Sequence, residues 1–255
     1  MAEQKLHAMN PDVIVSEFMK NVRIVPASEC ALILYIDQPL SESLAAQLKT
    51  ISEYISLNAN DLGIEIIVSY ASLLINYNPL VTDHFAVKKL VAQAITTLLT
   101  STQTSLTNSG VQTLEHVVEL PVYYSVQTGP DLERIANHHN LNVEDVIRIH
   151  QQQTYRVFAI GFAPGFGYLG QVDEQIAMPR LATPRAIVPK GAVAIADRQT
   201  AVYPAASPGG WNIIGQCPLL MFNPDVEPSM PFKVGDSVQF KAIDQTEYIA
   251  LGGEL

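Results

Sequence analysis

The chain has 255 residues, with 15 Lys+Arg against 25 Asp+Glu, a formal net charge of −10 at pH 7. That balance argues against a general nucleic-acid binder or a module for anionic membrane surfaces. Hydrophobic residues at 48% and charged residues at 16% exclude a disordered chain.

No run approaches the roughly 18 apolar residues that a membrane helix needs. The start, MAEQKLHAMN, lacks a basic stretch followed by an apolar core, so no secretory signal is expected. Cys30 and Cys217 form no CxxC, which speaks against a disulfide framework and a zinc site. A cytoplasmic protein is expected.

Residues 1–110 hold four prolines and two glycines, whereas 111–255 hold twelve of each. Between them lies TSTQTSLTNSG (Thr100–Gly110), a Ser/Thr-rich stretch with little to bury. It reads as a linker at about 100–112, dividing a domain at 1–110 from one at 111–255.

In the first half, ALILYI (Ala31–Ile36) fits a strand. Ser41 can cap a helix whose apolar face is Leu44, Leu48, Ile51 and Ile55. Ile64–Val68 and Leu73–Tyr77 read as adjacent strands. Val87, Leu90, Val91, Ala94, Ile95 and Leu98 mark a second helix, with Thr82 or Asp83 as its cap. His116–Leu120 would be a last strand. This order matches a ferredoxin-like α/β sandwich, its helices covering one face of a four-stranded sheet. The lone His84 reads as a solvated polar residue.

The second half opens with two short helices. Pro130 and Asp131 suit one first turn, and Asn142 can cap the next. Short β-rich pieces follow at Tyr155–Ile160, Ala186–Val188, Ala192–Ile195, Ala201–Tyr203, Trp211–Gly215, Leu219–Phe222 and Ser237–Phe240. Punctuated by Pro and Gly, they suggest a closed or nearly closed β barrel. The whole reads as α+β.

Several residues in this half could carry chemistry. His150 shares a helix stripe with Val143, Val146 and Ile147. It is either a satisfied structural histidine or an acid/base group at the barrel mouth. His138 and His139 face different sides of a helix, with no accompanying ligand pattern, so no metal site is expected. GFAPGFGYLG (Gly161–Gly170) is no phosphate loop, and Phe166 and Tyr168 share one face of an extended strand. Arg185 could clamp a carboxylate or form a surface ion pair. QTAVYPAASPGGW (Gln199–Trp211) offers an amide, hydroxyls, a phenol, a Gly-Gly backbone and the only tryptophan, the ingredients of a polar-ligand pocket or of plain barrel core. Cys217 has no nearby helper for thiolate formation.

GPDLERIA, HQQQTYRVFAIGFAPGFGYLG, TPRAIVPKGAVAIADRQTAVYPAASPGGWNIIGQCPLLMF and PFKVGDSVQF together resemble one family. It is that of the B subunit of prokaryotic 5-oxoprolinase, also called allophanate hydrolase subunit 1, which includes the Kip inhibitor of a sporulation histidine kinase. The resemblance runs from about Pro121 to Phe240. It implies an N-terminal ferredoxin-like domain and a C-terminal cyclophilin-like β barrel. It implies ATP-dependent opening of 5-oxoproline to glutamate by a complex with a C subunit (allophanate hydrolase subunit 2-like) and an A subunit. The chain would be inactive alone and bind no cofactor, while the complex uses ATP with Mg. Two other activities within its reach are inhibition of a sensor histidine kinase and a carboxyltransferase-like role on urea or allophanate.

The matching positions imply candidate roles. His150 and Tyr203 would carry proton or hydrogen-bond duties, and Arg185 would orient a carboxylate. Gln199 and Thr200 would contact the amide. Gly209 and Gly210 would offer backbone donors beside Trp211, and Tyr155, Phe166 and Tyr168 would line the substrate. All of these would share one cleft. Two departures from the family pattern are Asp197, where glycine is usual, and Gly167, where proline is common.

Overall fold

The computed structural model describes residues 19–59, 61–105 and 117–255. The chain divides into two compact units, Met1–Thr113 and Leu114–Leu255.

In the first unit, strands β1 (Val22–Ser28), β2 (Ala31–Ile36), β3 (Glu65–Ser69) and β4 (Ser72–Asn76) form an antiparallel sheet in the order β1-β2-β4-β3. Helices α1 (Glu42–Asn58) and α2 (His84–Ser105) supply the other half of the core. Alternation sends Leu32, Leu34, Ile36, Leu73 and Ile75 to one face of the sheet. There they meet Leu44, Leu48, Ile51 and Ile55 of α1 and the Val87–Leu98 stripe of α2. The caps are local chemistry. Ser41 Oγ accepts from Leu44 N–H at 3.1 Å, and Asp83 Oδ1 accepts from Ala86 N–H at 2.8 Å. His84 is not simply solvated, because its Nδ1 meets the Tyr77 hydroxyl.

Two expectations are corrected here. The described elements run strand–strand–helix–strand–strand–helix, which is not the ferredoxin-like order. The segment expected to close that sheet is strand β5 (Val117–Val122), and it pairs in parallel with β13 (Ser237–Ala242) in the second unit. The reason is apolar matching at long range: Leu120 and Val122 bury in the second unit's core. The linker reading is also shortened, since α2 continues through Ser105; the remainder, 106–112, lies outside the described residues.

The second unit is built on seven strands in the order β12-β9-β10-β7-β6-β13-β5. The strands not yet placed are β6 (Thr154–Ile160), β7 (Gly167–Gly170), β9 (Ala192–Ala196), β10 (Gln199–Val202) and β12 (Asn212–Gln216). A bridge between Tyr123 and Gln216 ties the end of β5 to the end of β12 and draws the sheet into a nearly closed barrel. Every one of the seven strands sends a side chain into a single cluster, including Leu120, Val157, Leu169, Val193, Val202, Ile214 and Val238. That cluster is the barrel interior. Helices α3 (Leu132–His139) and α4 (Val143–Gln152) add Leu132, Ile135, Val146 and Ile149 to it. Asn142 caps α4 by accepting from Asp145 N–H at 2.7 Å. An antiparallel pair, β8 (Arg185–Val188) with β11 (Ser207–Gly209), forms a separate two-stranded sheet. Helix α5 (Gln245–Ala250) follows β13 and is capped by Asp244. Leu219–Phe222, expected as a strand, pairs with no neighbour and runs as an irregular segment.

Candidate functional site

The residues singled out in the sequence fall into three groups, of which the second and third touch where Arg185 meets the Trp211 carbonyl, while the first lies apart. Strand alternation decides the division. On β9, Val193 and Ile195 enter the barrel interior, while Ala192, Ala194 and Ala196 face a second cluster outside it. On β10, Val202 points inward and Ala201 outward.

The first group lies inside. His150 is wholly buried, and both ring nitrogens are engaged: Nδ1 with the Tyr124 hydroxyl at 2.8 Å, Nε2 with Thr200 Oγ1 at 3.0 Å. Its ring stacks on Phe240 at 4.6 Å between centroids. The Tyr155 hydroxyl donates to the His150 carbonyl at 2.9 Å. Burial pushes the imidazole pKa down to about 3, so it is neutral at physiological pH. The same burial raises the Tyr124 and Tyr155 phenols well above their ordinary value. This placement corrects the reading of His150 as a group at the barrel mouth and the expectation that Tyr155 and Thr200 share one cleft with the aromatic residues. An imidazole with two hydroxyl partners and no exposure is a satisfied core group, and its neighbours are spent on satisfying it.

The second group is a clasp. Arg185 Nη2 meets Asp131 Oδ1 at 2.8 Å, with side-chain exposures of 29% and 6%. Asp131 Oδ2 accepts from Ile213 N–H at 2.7 Å, and the Asp131 N–H donates to the Ile213 carbonyl at 3.0 Å. Beside it, Arg134 Nη1 meets Asn212 Oδ1, whose amide donates to the carbonyls of Pro179 and Ile195, both at 3.0 Å. Gly129 lies so close to β12 that a Cβ would sit 2.3 Å from the Ile214 carbonyl. GPDL therefore fastens the start of α3 to β12. Arg185, expected to orient a ligand carboxylate, has taken an internal one instead.

The third group is the aromatic cluster on the outer face of the barrel wall. Phe166 is its hub, with ring centroids 4.8 Å from Tyr168, 5.3 Å from Tyr203, 5.7 Å from Trp211 and 5.3 Å from Phe162. The alanines of β9 and β10 beneath them have side chains small enough to admit the rings. Tyr203 and Trp211 are buried, Tyr168 is half-buried, and Phe162 is 66% exposed. Gly209 is fixed by this packing, since a Cβ would lie 2.4 Å from the Tyr203 hydroxyl. Burial raises the Tyr203 pKa, while the charges of Arg180 and Arg185 and the Trp211 backbone pull it back. Gln199 starts β10 in the same outward register as Ala201. Gly210 gives its carbonyl to Leu181 N–H at 2.7 Å.

Of the residues expected to share a cleft, the structure brings Phe166, Tyr168, Tyr203 and Trp211 together and sets His150 apart; sequence reasoning does not separate the two. It misses Arg180, whose guanidinium lies 5.8 Å over the Trp211 ring. It also misses the role of Asp131. The signal available for the division is parity: residues 200 and 203, three apart along an extended run, face opposite ways. Asp197, where the family favours glycine, has φ +52°, the left-handed region glycine enters most easily. At Gly167 a Cβ would meet the Phe232 ring at 2.5 Å, so a larger residue there would require that ring to shift.

The family profile described as carboxyltransferase domain, subdomain C and D, matches residues 22–232. The chain is 34% identical over 234 residues to the B subunit of 5-oxoprolinase from Bacillus subtilis, covering 89% of this chain and 95% of that one. It is 32% identical over 219 residues to the B subunit of 5-oxoprolinase from Haemophilus influenzae, covering 86% and 97%. Among solved structures it is similar to TTHA0988, with a TM-score of 0.70 and 30% identity, over 88% of this chain; it spans 40% of the length of that one. It is also similar to the urea amidolyase of K. lactis, with a TM-score of 0.68 at 14% identity over 90% of this chain and 15% of that one, a likeness of fold.

Proposed function

The chain belongs to the carboxyltransferase subdomain C and D family, among the 5-oxoprolinase B subunits, and from that membership we propose that it is the B component of a 5-oxoprolinase opening 5-oxoproline to glutamate. The observation that carries this reading is the end-to-end match to the Bacillus subtilis protein, 95% of whose length is covered. In this reading the chain works with C and A subunits, in the cytoplasm, and is inactive alone.

The chemistry asked of such a complex is severe. A lactam N–C=O is resonance-stabilised, so its carbonyl is a poor electrophile; ATP supplies the driving force, and the protein must hold and polarise the amide. Among the described residues no three His, Cys, Asp or Glu side chains converge as a metal site. ATP and its Mg belong, in this reading, to the assembled complex.

The outer aromatic face is the part of this chain best suited to the substrate. Tyr203 offers a hydroxyl, which lies against Gly209. Phe166, Tyr168 and Trp211 form apolar ground beside it. Gln199 starts the strand that carries Ala201 of this face. We assign Tyr203 the hydrogen-bond role toward the amide and His150 a structural role.

The test is co-expression with candidate C and A subunits, followed by measurement of 5-oxoproline-dependent ATP hydrolysis. The reading expects activity from the complex and none from this chain alone. A purified complex without that activity would overturn it, as would full activity from the isolated chain.

A further inference from the structure

We propose that Arg180, and not Arg185, is the residue that receives the carboxylate of the small-molecule substrate at the outer aromatic face. For its choice of ligand this rests on the reading of the chain as part of a 5-oxoprolinase. Two arginines lie beside Trp211, Arg180 over its ring and Arg185 at its carbonyl, and their situations are opposite. Arg185 is paired to the buried carboxylate of Asp131 and also contacts the Trp211 carbonyl at 3.4 Å. Its charge is already answered.

Arg180 is exposed and makes no hydrogen bond or ion pair among the described residues; its one ring contact is with Trp211. Its guanidinium lies 5.8 Å from the indole centroid, and its N–H fork, with no acceptor among the described residues, can take a carboxylate in two parallel bonds.

The backbone around it is anchored in a way that a surface arginine does not require. The Met178 carbonyl accepts from Asp197 N–H at 2.7 Å, and the Pro179 carbonyl accepts from the Asn212 amide at 3.0 Å. Leu181 N–H donates to the Gly210 carbonyl at 2.7 Å. Residues 178, 179 and 181 are thus tied to three separate places, including the Gly-Gly turn that leads into Trp211. The Arg180 side chain alone is left uncommitted. A pre-placed, unpaired donor fork beside an apolar face suits a flat ring bearing a carboxylate, which 5-oxoproline is and urea is not.

Trp211 is the only tryptophan in the chain, so its fluorescence reports on this site. Full-length chain is titrated with 5-oxoproline, with 2-pyrrolidinone (the same lactam without the carboxylate) and with inorganic phosphate. The expectation is a saturable change with 5-oxoproline that is absent with 2-pyrrolidinone and phosphate, and lost in R180Q while retained in R185K. In the reconstituted complex, R180Q should raise KM for 5-oxoproline by about 10- to 100-fold, the worth of a charge-assisted pair, with a smaller effect on kcat. Circular dichroism of R180Q, which replaces an exposed side chain, verifies folding. A wild-type chain whose fluorescence ignores 5-oxoproline, or an R180Q complex with unchanged KM, overturns the proposal. A titration that behaves as expected beside a complex without oxoprolinase activity would keep the carboxylate site and reject the enzymatic reading.

Discussion

At the scale of single residues, His150 is the clearest case of a group whose neighbours decide its role. It occupies the barrel interior between two hydroxyls, with a pKa held near 3 by burial against 6.5 for a free imidazole. The sign of the pH effect follows. Between those values the unfolded chain binds a proton that the folded chain does not, so stability is complete above about pH 6.5 and is lost as pH falls toward 3. From pH 7 to pH 5 this group alone should cost about 2 kcal/mol. Urea unfolding of the wild type and H150Q at both pH values checks this: the variant should be less stable at pH 7 but lack that share of the acid loss. An identical pH dependence in the two proteins would show that His150 is not held neutral. The histidine is visible in the sequence as a stripe residue of α4. Which wall it faces is not, because the partners Tyr124 and Thr200 are 26 and 50 residues away.

At the scale of elements, local signals are readable and long-range ones are not. Both helices of the first unit follow from apolar spacing, and their caps from Ser41 and Asp83. Strand β1 escapes a sequence reading because VRIVPAS carries a proline and a charge where apolar alternation would mark a strand. Strand β5 is legible as a strand but not as a member of its sheet, since its partner β13 lies more than a hundred residues further on. The clasp between α3, β8 and β12 is equally hidden: Asp131 reads locally as a helix-start residue, yet it binds Arg185 and both backbone polar groups of Ile213. Removing one partner leaves the other charge poorly solvated. D131N should therefore destabilise the protein by about 2–3 kcal/mol, less than a fully buried pair would lose because Arg185 is partly exposed. R185K should recover only part of the wild-type stability, because an ammonium cannot reproduce the guanidinium fork. Denaturation midpoints for the two variants test this, and wild-type stability in D131N would dismiss the clasp.

For the whole molecule, one principle organises the second unit: a barrel wall two residues deep in pattern, apolar and satisfied within, aromatic without. The composition of the sequence announces a barrel and gathers its aromatic residues, while the side of the wall each residue takes depends on register that only the assembled sheet defines. The comparison that bears on this account most directly is kcat/KM for 5-oxoproline in the reconstituted complex carrying either T200V or Y203F, each of which deletes one hydroxyl from the same stretch of chain. The account predicts that T200V lowers stability but keeps kcat/KM within about threefold of wild type, whereas Y203F, missing one hydrogen bond to the substrate, loses about 10-fold or more. A folded Y203F complex with full activity, beside a T200V complex that has lost it, would contradict the division of the site by the barrel wall.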